Sequence, residues 1–220
     1  MKYSIIICFS IFIFIGCDNE SSINEKNRSK AFLDSLERVK EDSIRQFSIN
    51  RIKDIKAKYN YSDFFFIYDD FSEEGYYNVQ TDYDYKKSQW GKLWLRILDN
   101  GELLFASVYF SRERLYHTMI QAKIGDSLIT SQEVPLTDYS NIVEGNYVET
   151  VYFTNKDNGI LNAIVSSKDD ENIRIRLIGD EYYTYSLKRN DIIKLKEGYE
   201  FANLLKYLEL TAKEQHQLGF

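Results

Sequence analysis

Proline occurs once in the 220 residues, at Pro135, and cysteine twice, at Cys8 and Cys17. Two cysteines, both near the N-terminus, build neither a disulfide scaffold nor a Cys-x-x-Cys redox or zinc motif. Histidine is equally scarce: His117 and His216 are the only two, and neither stands at a metal-ligand spacing. Gly-rich phosphate loops and the Gly-x-Ser-x-Gly elbow are missing as well, so no nucleotide or hydrolase signature is present. The run Asn155-Lys156-Asp157-Asn158-Gly159 faintly resembles a calcium loop but lacks the closing bidentate Glu. No metal and no cofactor are expected. A nucleophilic triad needs a base beside Ser or Cys, and His117 is the one good candidate. Strand alternation puts it with Leu115, Met119 and Gln121, as a half-exposed structural histidine. Excess positive charge is lacking too: the chain carries 28 Lys/Arg against 34 Asp/Glu. That balance argues against nucleic acid, whose phosphates are met by Lys and Arg.

What is present begins at the N-terminus. Lys2 precedes a nearly unbroken apolar run over residues 4–15, which ends in Phe14-Ile15-Gly16-Cys17. About a dozen apolar residues are too few to span a bilayer but suit the hydrophobic region of a secretory signal. The stretch resembles a bacterial lipoprotein signal peptide; Ile15-Gly16-Cys17 fits, with Phe14 where the family usually has Leu. The resemblance implies that the Cys17 thiol takes a diacylglyceryl group, that the bond before it is cut, and that the new amino terminus is acylated. Two or three acyl chains make a stable membrane anchor. Asp18, Asn19 and Glu20 resemble two signals: in enteric lipoproteins an Asp there implies retention in the inner membrane, in Bacteroidetes lipoproteins acidic residues there imply export to the outer-membrane surface, and the surface-exposed location in the cell envelope is the favoured expectation. Residues 1–16 are then the signal peptide and residues 17–29 a polar tether.

From Lys30 the pattern turns helical. Phe32, Leu36, Val39, Ile44, Phe47, Ile52, Ile55 and Tyr59 recur mostly at three- and four-residue steps, which predicts a helical stalk over residues 30–58. Two five-residue steps break any sustained heptad. Charge divides at the same place: residues 24–58 hold ten Lys/Arg against six Asp/Glu, and residues 59–220 hold seventeen against twenty-six.

Beyond the stalk the period shortens to that of strands. Residues 63–68 form an aromatic run of strand length, and three hairpins follow. Asn100-Gly101 predicts a two-residue type I′ turn, which pairs Ile97 with Leu104 and Leu95 with Ala106. Gly125-Asp126 and Gly179-Asp180 predict type II′ turns. Residues 158–167 read as a short helix and residues 191–210 as a C-terminal helix, with 211–220 frayed. The expected fold is α+β: an antiparallel sheet, sandwich or open barrel, built from hairpins over residues 59–212 and packed by the C-terminal helix.

Function is legible only in outline. The paired acids Asp69/Asp70, Glu73/Glu74 and Asp82/Asp84 offer the two carboxylates of a glycan hydrolase, but they lie in turn-rich stretches where charge serves solvation. Eighteen Tyr and fourteen Phe have two readings of equal weight, a binding surface and the codon bias of an AT-rich genome. With partners summing to 359 across Gly179-Asp180, Arg174 faces Tyr185 and Arg176 faces Tyr183. These four are the candidate binding residues, suited to an anionic or sugar ligand. The expectation is a non-enzymatic envelope binding module, anchored to the membrane at Cys17, with an envelope protein or glycan as partner. Two alternatives stand beside it: an immunity or exclusion lipoprotein that blocks a toxin or phage component, and a carboxylate-dependent hydrolase.

Overall fold

The computed structural model describes residues 21–59, 64–69, 71–72, 74–82, 86–135, 140–143 and 145–220, with side chains from residue 30 onward except at 64, 140 and 141. Cys17 and the signal-like run lie outside the described residues. The chain divides into two units, Met1–Gln46 and Phe47–Phe220.

Helix α1 (Ser21–Ala57) runs through 37 residues, about 55 Å at 1.5 Å per residue. It starts before the expected Lys30, inside the stretch assigned to a tether. The reason is local: the chain holds no Gly or Pro between Gly16 and Gly75, so nothing punctuates the helix. Within the first unit Phe32, Leu33, Leu36, Val39 and Ile44 are exposed.

Within the second unit the last turns of α1 bury Ile52 and Ile55 completely. Arg51 makes a two-pronged bond to Glu200, 2.7 Å at each oxygen, and Lys58 and Tyr59 both bond Glu197. The strands are β1 (Phe64–Asp69), β2 (Glu74–Gln80), β3 (Trp90–Leu98), β4 (Leu103–Ser111), β5 (Met119–Ile124), β6 (Ser127–Thr130), β7 (Ser140–Val143), β8 (Asn146–Tyr152), β9 (Ile173–Ile178) and β10 (Tyr182–Ser186). Helix α2 (Ile160–Ser166) precedes β9, and α3 (Arg189–Leu208) and α4 (Ala212–Gln217) close the chain. The fold is α+β, as expected. A six-stranded antiparallel sheet, β1-β2-β3-β4-β8-β7, curls into a half-barrel beside a four-stranded sheet, β10-β9-β5-β6.

The core lies where one face of the half-barrel meets the helices. Tyr77 and Val79 of β2, Leu93, Leu95 and Ile97 of β3, and Phe105 of β4 are buried there. Phe201 of α3 meets the Tyr77 ring edge-on, 4.7 Å between centroids. Tyr183 and Tyr185 of β10 lie against Gly91 of β3 and bring the two sheets together.

The β5–β6 hairpin turns through Gly125 and Asp126 with Ile124 opposite Ser127, the expected two-residue connection. The other two hairpins slip by one residue. Leu98 pairs with Glu102, and Gly101 donates to the Leu98 carbonyl at 2.9 Å, so the turn has three residues, Asp99-Asn100-Gly101. Gly101 alone takes positive φ, 78°, as in a type I turn closed by a glycine bulge. Ile97 therefore faces Leu103 and Leu95 faces Phe105.

The connection at Gly179 likewise takes three residues, and Gly179 is not at positive φ. The cause is distant in sequence: a Cβ on Gly179 would lie 2.0 Å from the Leu115 carbonyl oxygen, and Asp180 donates to that same oxygen at 3.0 Å. The segment before β5 holds the turn open. At the C-terminus residues 211–220 are ordered rather than frayed. Thr211 caps α4 in a reciprocal box with Glu214, and Phe220 is buried against the core.

Candidate functional site

The slipped register separates the four candidate binding residues. Tyr185 pairs with Ile175, Tyr183 with Leu177, Thr184 with Arg176 and Ser186 with Arg174. Directly opposed residues share a face, so the arginines point outward and the two tyrosines inward. Arg176 stacks instead on Tyr182, 5.4 Å from its centroid, and reaches Gln121 at 3.4 Å. Tyr183 leans on Tyr109, 5.3 Å between centroids. The Tyr185 hydroxyl is buried without a partner among the described residues, and burial holds it well above the usual phenol range. Both tyrosines are packing residues, and the four-residue grip does not exist.

His117 also departs from expectation. Residues 112–118 are irregular, Tyr116 has φ 54°, and β5 begins only at Met119. Alternation therefore fails and His117 turns completely inside. Its Nε2 lies 2.8 Å from Ser107 Oγ and its Nδ1 3.1 Å from Glu149 Oε2. Ser, His and acid in that order are the parts of a nucleophilic triad. Ser107 and His117 have no exposed surface, however, and Glu149 is almost covered, so no substrate reaches the hydroxyl. Glu149 is otherwise engaged: it accepts from the backbone N–H of Leu115 at 2.9 Å, Tyr116 at 3.2 Å and His117 at 3.4 Å. Burial pushes its carboxyl up, but the bonds from His117 and the backbone outweigh that and hold it below the ordinary carboxylate value. The trio is a polar clamp that ties the 115–117 segment to β4 and β8.

The acidic pairs do not form a cleft among the described residues. Asp69 accepts from Phe71 N–H and Ser72 Oγ in its own turn, and Asp82 pairs with Lys194 at 2.7 Å. Asp70, Glu73 and Asp84 lie outside the described residues. Asp157 accepts from the N–H groups of Gly159 and Leu161 at the start of α2, which accounts for it without calcium. Among the described residues no group of three His, Cys, Asp or Glu converges as a metal site. A surface cleft of about 730 Å³ lies between the β3–β4 turn and the α3–α4 junction. Its lining mixes Asp99 and Glu209 with Lys206 and Lys213 and converges on no single chemistry.

A more organised arrangement stands on the sheet face opposite the core. Register places Trp90, Lys92, Trp94 and Arg96 of β3 in one row, beside Tyr76, Asn78 and Gln80 of β2 and Leu104, Ala106, Val108 and Phe110 of β4. The contacts that seat α3 and α4 on this sheet run through Val79, Leu95, Tyr77 and Gly75 of the other face. The Arg96 guanidinium lies 4.3 Å from the Tyr76 ring centroid and 4.9 Å from that of Trp94. Asn78 Oδ1 accepts from both Trp94 Nε1, at 3.1 Å, and Arg96 Nε, at 3.4 Å.

Further along the row, Trp90 stacks on Phe110 at 4.9 Å with 6° between planes. Lys92 bonds Gln80 and sits 5.5 Å over Trp90, and burial pulls its ammonium down to about 8. The sequence carried the signal for this group, because both tryptophans of the chain alternate with cations on one strand. The wrong register hid it by placing Arg96 opposite Phe105 and Trp94 opposite Ser107. No protein-family model, curated protein or solved structure matches this chain.

Proposed function

We propose that the protein is a lipid-anchored binding module of the cell envelope, held at Cys17, that meets its partner through the Tyr76–Trp94–Arg96 face. The observation that carries this function is the stacked row itself. Trp, Tyr and Arg are the residue types that dominate binding energy at interfaces, and here Asn78 holds Trp94 and Arg96 in fixed geometry on the face opposite the one that seats α3 and α4. The half-buried rings and the half-buried Leu104 beside them supply apolar contact area. Lys92 and Arg96 add positive charge to a body that is otherwise acidic.

Two experiments test the two halves. Cys17→Ala is expected to move the protein from the membrane fraction to the soluble fraction, or to leave it as an uncleaved precursor. Unchanged size and unchanged lipid labelling would overturn the anchor. For the face, Trp94→Ala in the anchored protein is expected to abolish retention of envelope material on protein-bearing vesicles while melting stays within a few degrees of the parent. Retention equal to the parent would refute the face as the contact surface.

A further inference from the structure

The Arg96 guanidinium is held by three neighbours. The Tyr76 and Trp94 rings both lie against it, 4.3 and 4.9 Å from their centroids, and Asn78 takes the Nε proton. Its two terminal nitrogens make no hydrogen bond to a described residue, and no described carboxylate forms an ion pair with it. The acids on this face, Asp69, Glu74 and Glu102, stand at the turn ends of their strands. A planar fork packed against two rings and tied at Nε, with its terminal nitrogens unspent, can receive a carboxylate through two parallel bonds. The entropy of fixing the side chain is already lost before a ligand arrives.

Charge along the strand adds a second constraint. Lys92 lies in the same row, four residues from Arg96, which is about 13 Å at strand rise. Between and beside the two cations stand Trp90, Trp94 and Gln80: ring surfaces and an amide, without an acid at any neighbouring position of β2 or β4. Two cations in line suit a ligand that repeats its negative charge along its length. A lone acidic side chain on a partner protein would meet only one of them. The half-buried Gln80 amide and the rings suit a hydroxyl-rich, ring-built chain better than the apolar side chains of a protein surface.

From this we propose that the β3 row is a subsite for an acidic polysaccharide, with Arg96 taking one sugar carboxylate and Lys92 lying near the next. The inference rests on the binding face proposed above and names its ligand class.

The test follows tryptophan emission of the full-length, detergent-solubilised protein during titration with three probes: an oligouronate, a neutral oligosaccharide of equal length, and poly-glutamate. The oligouronate is expected to change the emission saturably, and the neutral chain to bind at least tenfold more weakly. Arg96→Gln should weaken the oligouronate about tenfold or more, with Arg96→Lys recovering only part because an ammonium lacks the fork. A circular dichroism spectrum and melting curve matching the parent show that each variant is folded.

Oligouronate affinity unchanged in a folded Arg96→Gln protein overturns the subsite. Poly-glutamate binding as tightly as the oligouronate overturns the polysaccharide in favour of an acidic protein. Equal binding of the neutral chain, lost in Trp94→Ala but kept in Arg96→Gln, overturns the acidic ligand while leaving the binding face intact. No emission change with any probe overturns the acidic polysaccharide, and retention by Trp94→Ala vesicles then decides separately whether the face binds at all.

Discussion

Gly101→Val should lower unfolding free energy by about 3 kcal/mol or more, from two costs that add. The first is conformational: φ at Gly101 is 78°, a region where a β-branched residue is strained by about 1–3 kcal/mol. The second is steric. A Cβ there would stand 2.5 Å from the Ala202 carbonyl oxygen and 2.7 Å from the Lys206 nitrogen, both backbone atoms of α3. Backbone inside a helix cannot swing aside as a side-chain tip can, so α3 must shift off the β3–β4 turn.

Gly145 separates the two costs, since its φ is also 78° but nothing stands within 4 Å of a Cβ built on it. Gly145→Ala should cost about 1 kcal/mol, the strain alone, and Gly101→Ala clearly more. Urea unfolding of the three variants against the parent measures this. Equal midpoints for Gly101→Ala and Gly145→Ala would show that α3 does not bear on the turn.

The same contact explains why sequence fell short at the hairpins. Asn-Gly and Gly-Asp each announce a turn, and three turns were found where three were expected. Loop length was another matter. Gly125 is open apart from the tip of Glu171, and its local preference prevailed: two residues, expected register. Gly101 is pressed against α3 and Gly179 against residues 115–117. There the tertiary neighbour, invisible to a local rule, selected a three-residue loop. A one-residue slip exchanges every side chain between faces. That is why Tyr183 and Tyr185 went into the core while Tyr182, never singled out, joined Arg176 outside.

Elements governed by local periodicity fared better. Ile160, Leu161 and Ile164 sit on the buried side of α2, and α3 buries Ile192, Leu195, Ala202 and Leu205 as their spacing implies. Helix α3 runs through Gly198 without a break. That glycine sits over Val79 and Leu95, with only 3.1–3.3 Å left for a Cβ, so its lack of a side chain admits close helix-to-sheet packing.

The clamp around His117 was illegible for a third reason: its members come from β4, β8 and an irregular segment, and no spacing links positions 107, 117 and 149. Its expected energetics are large. Glu149→Ala removes the acceptor for three backbone N–H groups and for His117 Nδ1 at once, inside a region closed to water. Unmaking a buried charged partner of this kind costs about 3–5 kcal/mol. Glu149→Gln keeps one carbonyl acceptor and should lose about half of that, while Ser107→Ala removes only the outermost bond, about 1 kcal/mol.

The pH dependence follows from the direction of the Glu149 shift. Its folded carboxyl is held below the usual 4.5, so the unfolded chain takes up the proton first as pH falls. The clamp's contribution is therefore complete above about pH 4.5, and it declines as pH drops through the lower folded value. Urea midpoints measured from pH 7 to pH 3 should fall for the parent and fall less steeply for Glu149→Gln, which has no proton to gain at this site. Parallel curves for the two proteins would mean that Glu149 titrates alike folded and unfolded, and the carboxylate would then not be what secures the 115–117 segment against which the Gly179 turn is set.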